Sequence, residues 1–313
     1  MKLRDLDEAA LRERLHGSGL GLRIGPFAVR LSSRIPAVAR SMARLYGDYP
    51  LLDTETFFDF HVAVERPPGV RRWIAPQALF LEDGIPPFRP LPISQAYPFF
   101  EWGLNWCIAQ YAHQFLILHA AVVERDGMAV ILPGNPGAGK STLCASLVTS
   151  GWRLLSDEMA LIPAGGETLV PIPRPVALKN ASIDLLKGFA PHTVFGESFH
   201  DTAKGTIAHM QAGSDAVQGM ARPARPRLLV FPRFEANVEP SLSRLEPAQA
   251  FLKAVECAFN YDFLGTEGFE RLRRVVTACD CYDFRYGSLE GGLSGIRELW
   301  QTLDGEGQEA NHG

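Results

Sequence analysis

Residues 134–141 read Gly-Asn-Pro-Gly-Ala-Gly-Lys-Ser, which satisfies GxxxxGK[ST] at every fixed position. This motif constrains fold before function, because it works only where a strand delivers the loop and a helix leaves it. The chain offers both flanks: the apolar run Met-Ala-Val-Ile-Leu-Pro over 128–133, and Ser-Thr-Leu-Cys-Ala-Ser-Leu-Val over 141–148. The glycines let successive backbone N–H groups turn inward around phosphate oxygens. Lys140 can reach the β- and γ-phosphates, the Ser141 hydroxyl can ligate Mg²⁺, and the helix N-terminus adds partial positive charge. The pattern implies a bound nucleoside triphosphate with Mg²⁺, held by Gly134, Asn135, Pro136, Gly137, Ala138, Gly139, Lys140, Ser141 and Thr142.

Bulk properties narrow the remaining classes. A length of 313 residues suits one large domain or two modest ones, and 46% hydrophobic content provides a core. A net charge of −4 gives no basic surface for nucleic acid. Five cysteines do not make a disulfide framework, and the Cys279-Asp-Cys281 pair lacks the second pair a metal site needs, so both are expected as free thiols. The charged N-terminus lacks a signal peptide's apolar core. The stretch 102–123 has no Asp, Glu, Lys or Arg, but Asn105, Gln110, His113, Gln114 and His119 interrupt it. It reads as a buried helix followed by a buried strand, with no membrane partner and a cytoplasmic location expected.

The expected fold class is α/β of the mixed α+β kind, with a catalytic core behind a smaller β-rich N-terminal domain. The N-terminal domain covers 1–93, with a helix near 5–16 and strands over 27–31, 56–64 and 77–81; its Arg71-Arg72 pair reads as solvated surface. The catalytic domain covers 94–303. It is expected to hold a helix over 94–115, a strand over 115–123, a strand over 152–156, a hairpin over 159–171 about Gly165-Gly166 and a strand over 227–231. Helices are expected near 247–259, 267–278 and 291–303, before a disordered tail over 304–313.

Two placements follow from geometry. Asp126-Gly127 is a two-residue hairpin turn, so Arg125 pairs with Met128, and counting back sets His119 opposite Gly134. The helix after the loop rises roughly 16 Å. A five-residue strand returns roughly 16 Å, so a right-handed crossover sets it beside the loop strand and brings Asp157 and Glu158 level with the phosphates. Most phosphate-loop enzymes carry the acid on a separate later strand, yet the 227–231 candidate ends in Pro232 without one.

These residues resemble the catalytic core of HPr kinase/phosphorylase, in which a histidine precedes the loop and an acidic pair follows it. The stretches Glu101-Trp-Gly-Leu-Asn-Trp106, Leu118-His-Ala-Ala121, Gly151-Trp-Arg-Leu-Leu-Ser-Asp-Glu158 and Arg174-Pro-Val-Ala-Leu-Lys-Asn180 resemble the branch called HPr kinase-related kinase A. The resemblance implies an HPr kinase-like phosphate-loop core and ATP-dependent phosphorylation of a serine on a protein or peptide. It assigns Asp157 as base, His119 as its orienting partner with Lys140 on the phosphates, and Glu158 beside Ser141 as metal ligand. The family's glycine-rich signature after the acidic pair is missing, which argues against phosphorolysis. Lys179, Lys204 and Arg174 are expected either near the phosphates or as solvated charges. Two other classes compete, a nucleotide-gated ATPase or chaperone-like module and a small-molecule kinase. A homo-oligomer is compatible with the sequence.

Overall fold

The hairpin that carries the loop organises the larger sheet. The computed structural model describes residues 1–69 and 75–309, the last seven as backbone only, so Arg71 and Arg72 lie outside the described residues. Before the hairpin come helix α1 (Glu8–His16), strands β1 (Leu20–Ile24) and β2 (Phe27–Ser33), helix α2 (Pro36–Leu45), and strands β3 (Leu51–Leu52), β4 (Phe60–Glu65), β5 (Gln77–Glu82) and β6 (Leu91–Pro92). The strands form a six-stranded sheet in the order β3-β1-β2-β4-β5-β6. Strand β1 and helix α2 were not anticipated: Leu-Gly-Leu-Arg-Ile is short and glycine-broken, and Pro36 at the first helical turn is a start signal hidden among turn residues.

Helix α3 (Ala96–Tyr111) packs on β4 and β5. Gly103 is where it comes closest, since a Cβ there would lie 2.2 Å from the Phe80 ring. Strands β7 (Leu116–Arg125) and β8 (Met128–Pro133) follow. Their turn residues Asp126 and Gly127 have φ of 54° and 78°, the left-handed pair a two-residue turn requires. Register runs from Arg125↔Met128 to Ala120↔Pro133, as the turn dictates.

Beyond helix α4 (Lys140–Thr149), strand β9 (Arg153–Ser156) departs from expectation. It pairs antiparallel with β7, not with β8, so the crossover passes one strand further. β10 (Met159–Ile162) continues along the same edge of β7, with Met159 opposite His119. The expected 159–171 hairpin is reduced to a single Leu161↔Val170 bridge. A three-stranded sheet, β11-β13-β12, is built from β11 (Val176–Lys179), β12 (Phe199–Thr202) and β13 (Gly205–Met210), with helix α5 (Ala181–Phe189) between β11 and β12. Helix α6 (Ser214–Gln218) precedes β14 (Arg225–Phe234), which lies parallel to β8 on its free edge. The remainder is β15 (Ser241–Arg244), α7 (Pro247–Val255), α8 (Tyr261–Leu264), α9 (Thr266–Ala278), β16 (Asp280–Tyr286) and α10 (Leu289–Glu309). The last helix runs six residues into the stretch expected as tail. Residues 310–313 lie outside those described.

Strand alternation divides the core. Ile117, Ala121, Val123, Val130, Leu132, Leu228 and Val230 join α4 and the N-terminal sheet in one buried cluster. Leu116, Leu118, Ala120, Ala129, Ile131 and Leu229 face α7 and α9 in a second. His119 follows the odd-numbered residues of β7, the face on which α4 packs. No described helix is long and apolar enough to cross a membrane.

Candidate functional site

The glycine-rich loop is held from behind by two strands. Gly137 and Gly139 have φ of 92° and 91°, a region open to glycine at little cost. Phe234 N–H at the end of β14 donates to Ala138 O at 3.2 Å, and Tyr286 Oη at the end of β16 donates to Gly139 O at 3.1 Å. A Cβ on Gly139 would fall 2.2 Å from that hydroxyl, so the fit excludes any larger residue. The tip, Asn135-Pro136-Gly137, is exposed. Lys140 is 6% exposed and folds back so that Nζ donates to Gly134 O at 2.5 Å and Asn135 O at 3.2 Å. Burial lowers its pKa, against the pull of Glu158 and Asp157.

Across the hairpin, Gly134 N–H donates to His119 O at 3.4 Å, so the turn register carries on to the first glycine. His119 N–H donates to Cys257 O at 2.7 Å, and its ring stands 5.6 Å from that of Phe259. Nε2 of His119 lies 3.1 Å from Glu158 Oε2.

Asp157 and Glu158 occupy the bend between β9 and β10, and their environments diverge. Glu158 N–H lies 3.3 Å from Ser156 Oγ, and its carbonyl accepts from Ala120 N–H at 3.2 Å. Its carboxylate is 31% exposed toward the cleft. Burial pushes the Glu158 pKa up, but the His119 hydrogen bond and charge, with Lys204 and Lys179 beyond, hold it well below the usual range. Asp157 is 5% exposed and turned inward: Oδ2 accepts from Ala177 N–H at 3.0 Å, while Oδ1 is buried without a hydrogen-bond partner. Burial, then the Glu158 charge, raises its pKa to about 7, with Ala177 N–H, the Ser141 hydroxyl and Lys140 pulling the other way.

A cleft of about 480 Å³ joins these groups, lined by His119, Pro136, Gly137, Gly139, Lys140, Ser141, Thr142, Glu158, Lys179 and Lys204. Lys179 ends β11, and Lys204 stands at the β12–β13 tip with Nζ 5.4 Å above the Trp102 ring. Thr202 shapes that tip, donating Oγ1–H to Gly205 O and accepting from Lys204 N–H. Burial and the nearby Lys179 charge lower the Lys204 pKa. The far wall is apolar, with Leu185, Phe234, Tyr286 and Leu289. Sequence reading missed these four; the alternation Tyr282, Phe284, Tyr286 was the available strand signal.

Arg174 does not approach the cleft. It is buried and paired with Glu101, donating to that residue's carboxylate and carbonyl, and to Asn105. Burial pushes the Glu101 pKa up, but Arg174, His209 and the Tyr97 hydroxyl bring it below its usual value. Cys279 and Cys281 are free thiols.

The arrangement can seat an anion on loop N–H groups and lysines. Ser141 and the unpartnered Asp157 oxygen offer the hard oxygen donors a divalent cation takes. It can also accept a proton at the cleft wall.

Similarity to known proteins covers parts of the chain. The family model described as SynChlorMet cassette protein ScmC matches residues 106–174, which contain His119, the loop and both carboxylates. A 57-residue stretch is 37% identical to HPr kinase/phosphorylase of Prosthecochloris aestuarii (strain DSM 271 / SK 413), spanning 18% of this chain and 17% of that protein. The HPr(Ser) kinase/phosphatase structure from Coxiella burnetii aligns over 63% of this chain and 99% of its own at 13% identity, with a TM-score of 0.26. The chain is thus a mixed α/β protein with partial similarity to HPr kinase/phosphorylase.

Proposed function

We propose that this chain is an ATP- and Mg²⁺-dependent kinase that transfers the γ-phosphoryl group to a serine hydroxyl of a protein or peptide, as a member of the HPr kinase-related kinase A branch. The observation that carries the reading is the charge balance of the cleft. Lys140, Lys179 and Lys204 bring three ammonium groups from three elements, and Glu158 is the carboxylate among its lining residues. Such an excess suits a triphosphate, and phosphoryl transfer depends mainly on positioning and charge neutralisation. A switch protein has less use for an imidazole and carboxylates beside the terminal phosphate.

The bound Mg²⁺ would neutralise charge on the β- and γ-phosphates. Between them Asp157, Glu158 and His119 supply the proton acceptor and the protein's carboxylate to the metal beside Ser141. The apolar wall of Leu185, Phe234 and Leu289 offers a surface for the nucleobase. Residues 94–303 form the catalytic part, 1–93 an accessory part, and the protein works in the cytoplasm.

The test is incubation with γ-labelled ATP and proteins encoded beside its gene. Wild type is expected to label a serine and Lys140→Ala to label nothing. Label-free wild type with tight ATP retention would favour a nucleotide-gated module, and label on a metabolite would favour a small-molecule kinase.

A further inference from the structure

The kinase reading leaves the work of the two adjacent carboxylates undivided, and the geometry separates them. Glu158 is at the cleft wall, hydrogen-bonded to His119 at 3.1 Å, with the two side chains 31% and 21% exposed. Asp157 is 5% exposed and does not line the cleft. Instead it borders a small cavity of about 30 Å³ shared with Ser156, Ala177, Arg174, His209 and Glu158, the last of which lines both spaces. Its Oδ2 is tied to Ala177 N–H and its Oδ1 is buried without a partner. A buried carboxylate oxygen with no donor is costly unless a cation or donor joins it.

We propose that His119, oriented by Glu158, is the group that accepts the hydroxyl proton, and that Asp157 joins Ser141 in holding the metal. This reverses the assignment that the family resemblance implies, and it rests on the phosphotransferase reading. With Nε2–H donated to Glu158, the lone pair of His119 is on Nδ1. The ring makes no other hydrogen bond among the described residues. In the transfer step the acceptor oxygen bonds to the γ-phosphorus while the bond from that phosphorus to the β–γ bridging oxygen breaks. The electron pair leaves on ADP, and the hydroxyl proton passes to His119 Nδ1. Glu158 remains ionised and stabilises the imidazolium, as a carboxylate hydrogen-bonded to the other ring nitrogen of a catalytic histidine does.

Three variants separate the roles. Metal binding is read without turnover by titrating Mg²⁺ into protein holding a fluorescent nonhydrolysable ATP analogue. Turnover is read as intrinsic ATP hydrolysis, in which water stands in for the acceptor. Asp157→Asn is expected to lose the Mg²⁺-dependent tightening of the analogue, by ~10-fold or more. Glu158→Gln and His119→Gln are expected to keep it, and His119→Gln to lose ~100-fold or more in turnover. Retained analogue binding reports an intact fold in each. The opposite split, with Glu158→Gln losing the tightening and Asp157→Asn keeping it, overturns the assignment, as does wild-type turnover in His119→Gln. A wild-type protein that turns over no ATP would remove the phosphotransferase reading, while the Mg²⁺ titration would still decide which carboxylate meets the metal.

Discussion

Replacing Asp157 by Asn in the nucleotide-free protein should stabilise it at pH 8. The carboxyl is buried, its Oδ1 has no partner, and its pKa rises from 3.8 to about 7 on folding, through burial and then the Glu158 charge. A folded-state value above the unfolded one contributes stability that is full below about pH 4 and is lost as pH rises through about 7. At ~1.4 kcal/mol per pKa unit, the rise puts a ceiling of ~4 kcal/mol on what ionisation removes at pH 8. Asn cannot ionise, but its NH₂ group puts a donor where the site holds an acceptor oxygen, costing ~1–2 kcal/mol. The net expectation is a gain of ~2 kcal/mol at pH 8. At pH 4, where wild type is protonated, the variant should be equal or slightly weaker. Urea unfolding in a chelator at pH 4, 6 and 8 measures this. A variant less stable than wild type at pH 8, or a difference that does not change with pH, would refute the reasoning.

Three further outcomes follow from the geometry. Lys140→Ala removes the ammonium that caps Gly134 O and Asn135 O and faces the phosphates, so nucleotide affinity measured by equilibrium titration should fall at least ~10-fold. Gly139→Ala forces a Cβ to 2.2 Å from Tyr286 Oη at φ 91°, and should lower stability by ~1–3 kcal/mol and weaken nucleotide binding. The pair with Tyr286→Phe should recover only part of that loss, since the backbone strain remains. Glu101→Gln strands the buried Arg174 guanidinium and should cost ~3–5 kcal/mol in a denaturant midpoint series.

What could be read from the sequence was what local chemistry dictates. Asp126-Gly127 fixed a register across the hairpin, and that register reaches His119 and Gly134 without a bulge. Path lengths brought Asp157 and Glu158 to the right height, because helix rise and strand rise are nearly invariant. The lateral position was not legible: equal path lengths serve β9 whether it lands beside β8 or beyond β7, and pairing with β7 is a tertiary choice. The same limit hid Arg174, whose charge suggested a surface or phosphate role until Glu101 and Asn105 closed around it. The 227–231 run was seen to lack an acid, but not that β14 supports the loop through Phe234.

The Glu101–Arg174 pair has a consequence for how the N-terminal region relates to the site. Tyr46, just beyond α2, donates its hydroxyl to Glu101 Oε1 at 2.8 Å, and Tyr97 donates to the same oxygen at 2.6 Å. Tyr49 donates to Pro173 O at 2.9 Å. The N-terminal region therefore grips both the acid in α3 and the 173–174 segment whose continuation supplies Ala177 N–H to Asp157. A buried ion pair is a poor source of net stability when compared with an apolar replacement of the same volume. It does penalise any arrangement in which one partner is displaced, so it fixes where residues 173–177 run. Tyr46, Tyr97, Tyr49 and Arg174 thus act on the Asp157 carboxylate, to which none of them is hydrogen-bonded, through the segment that carries Ala177. A sheet that held only its own core would need no such polar tie, and an apolar contact would serve. Charged groups at this junction make the placement of Asp157 depend on the N-terminal fold.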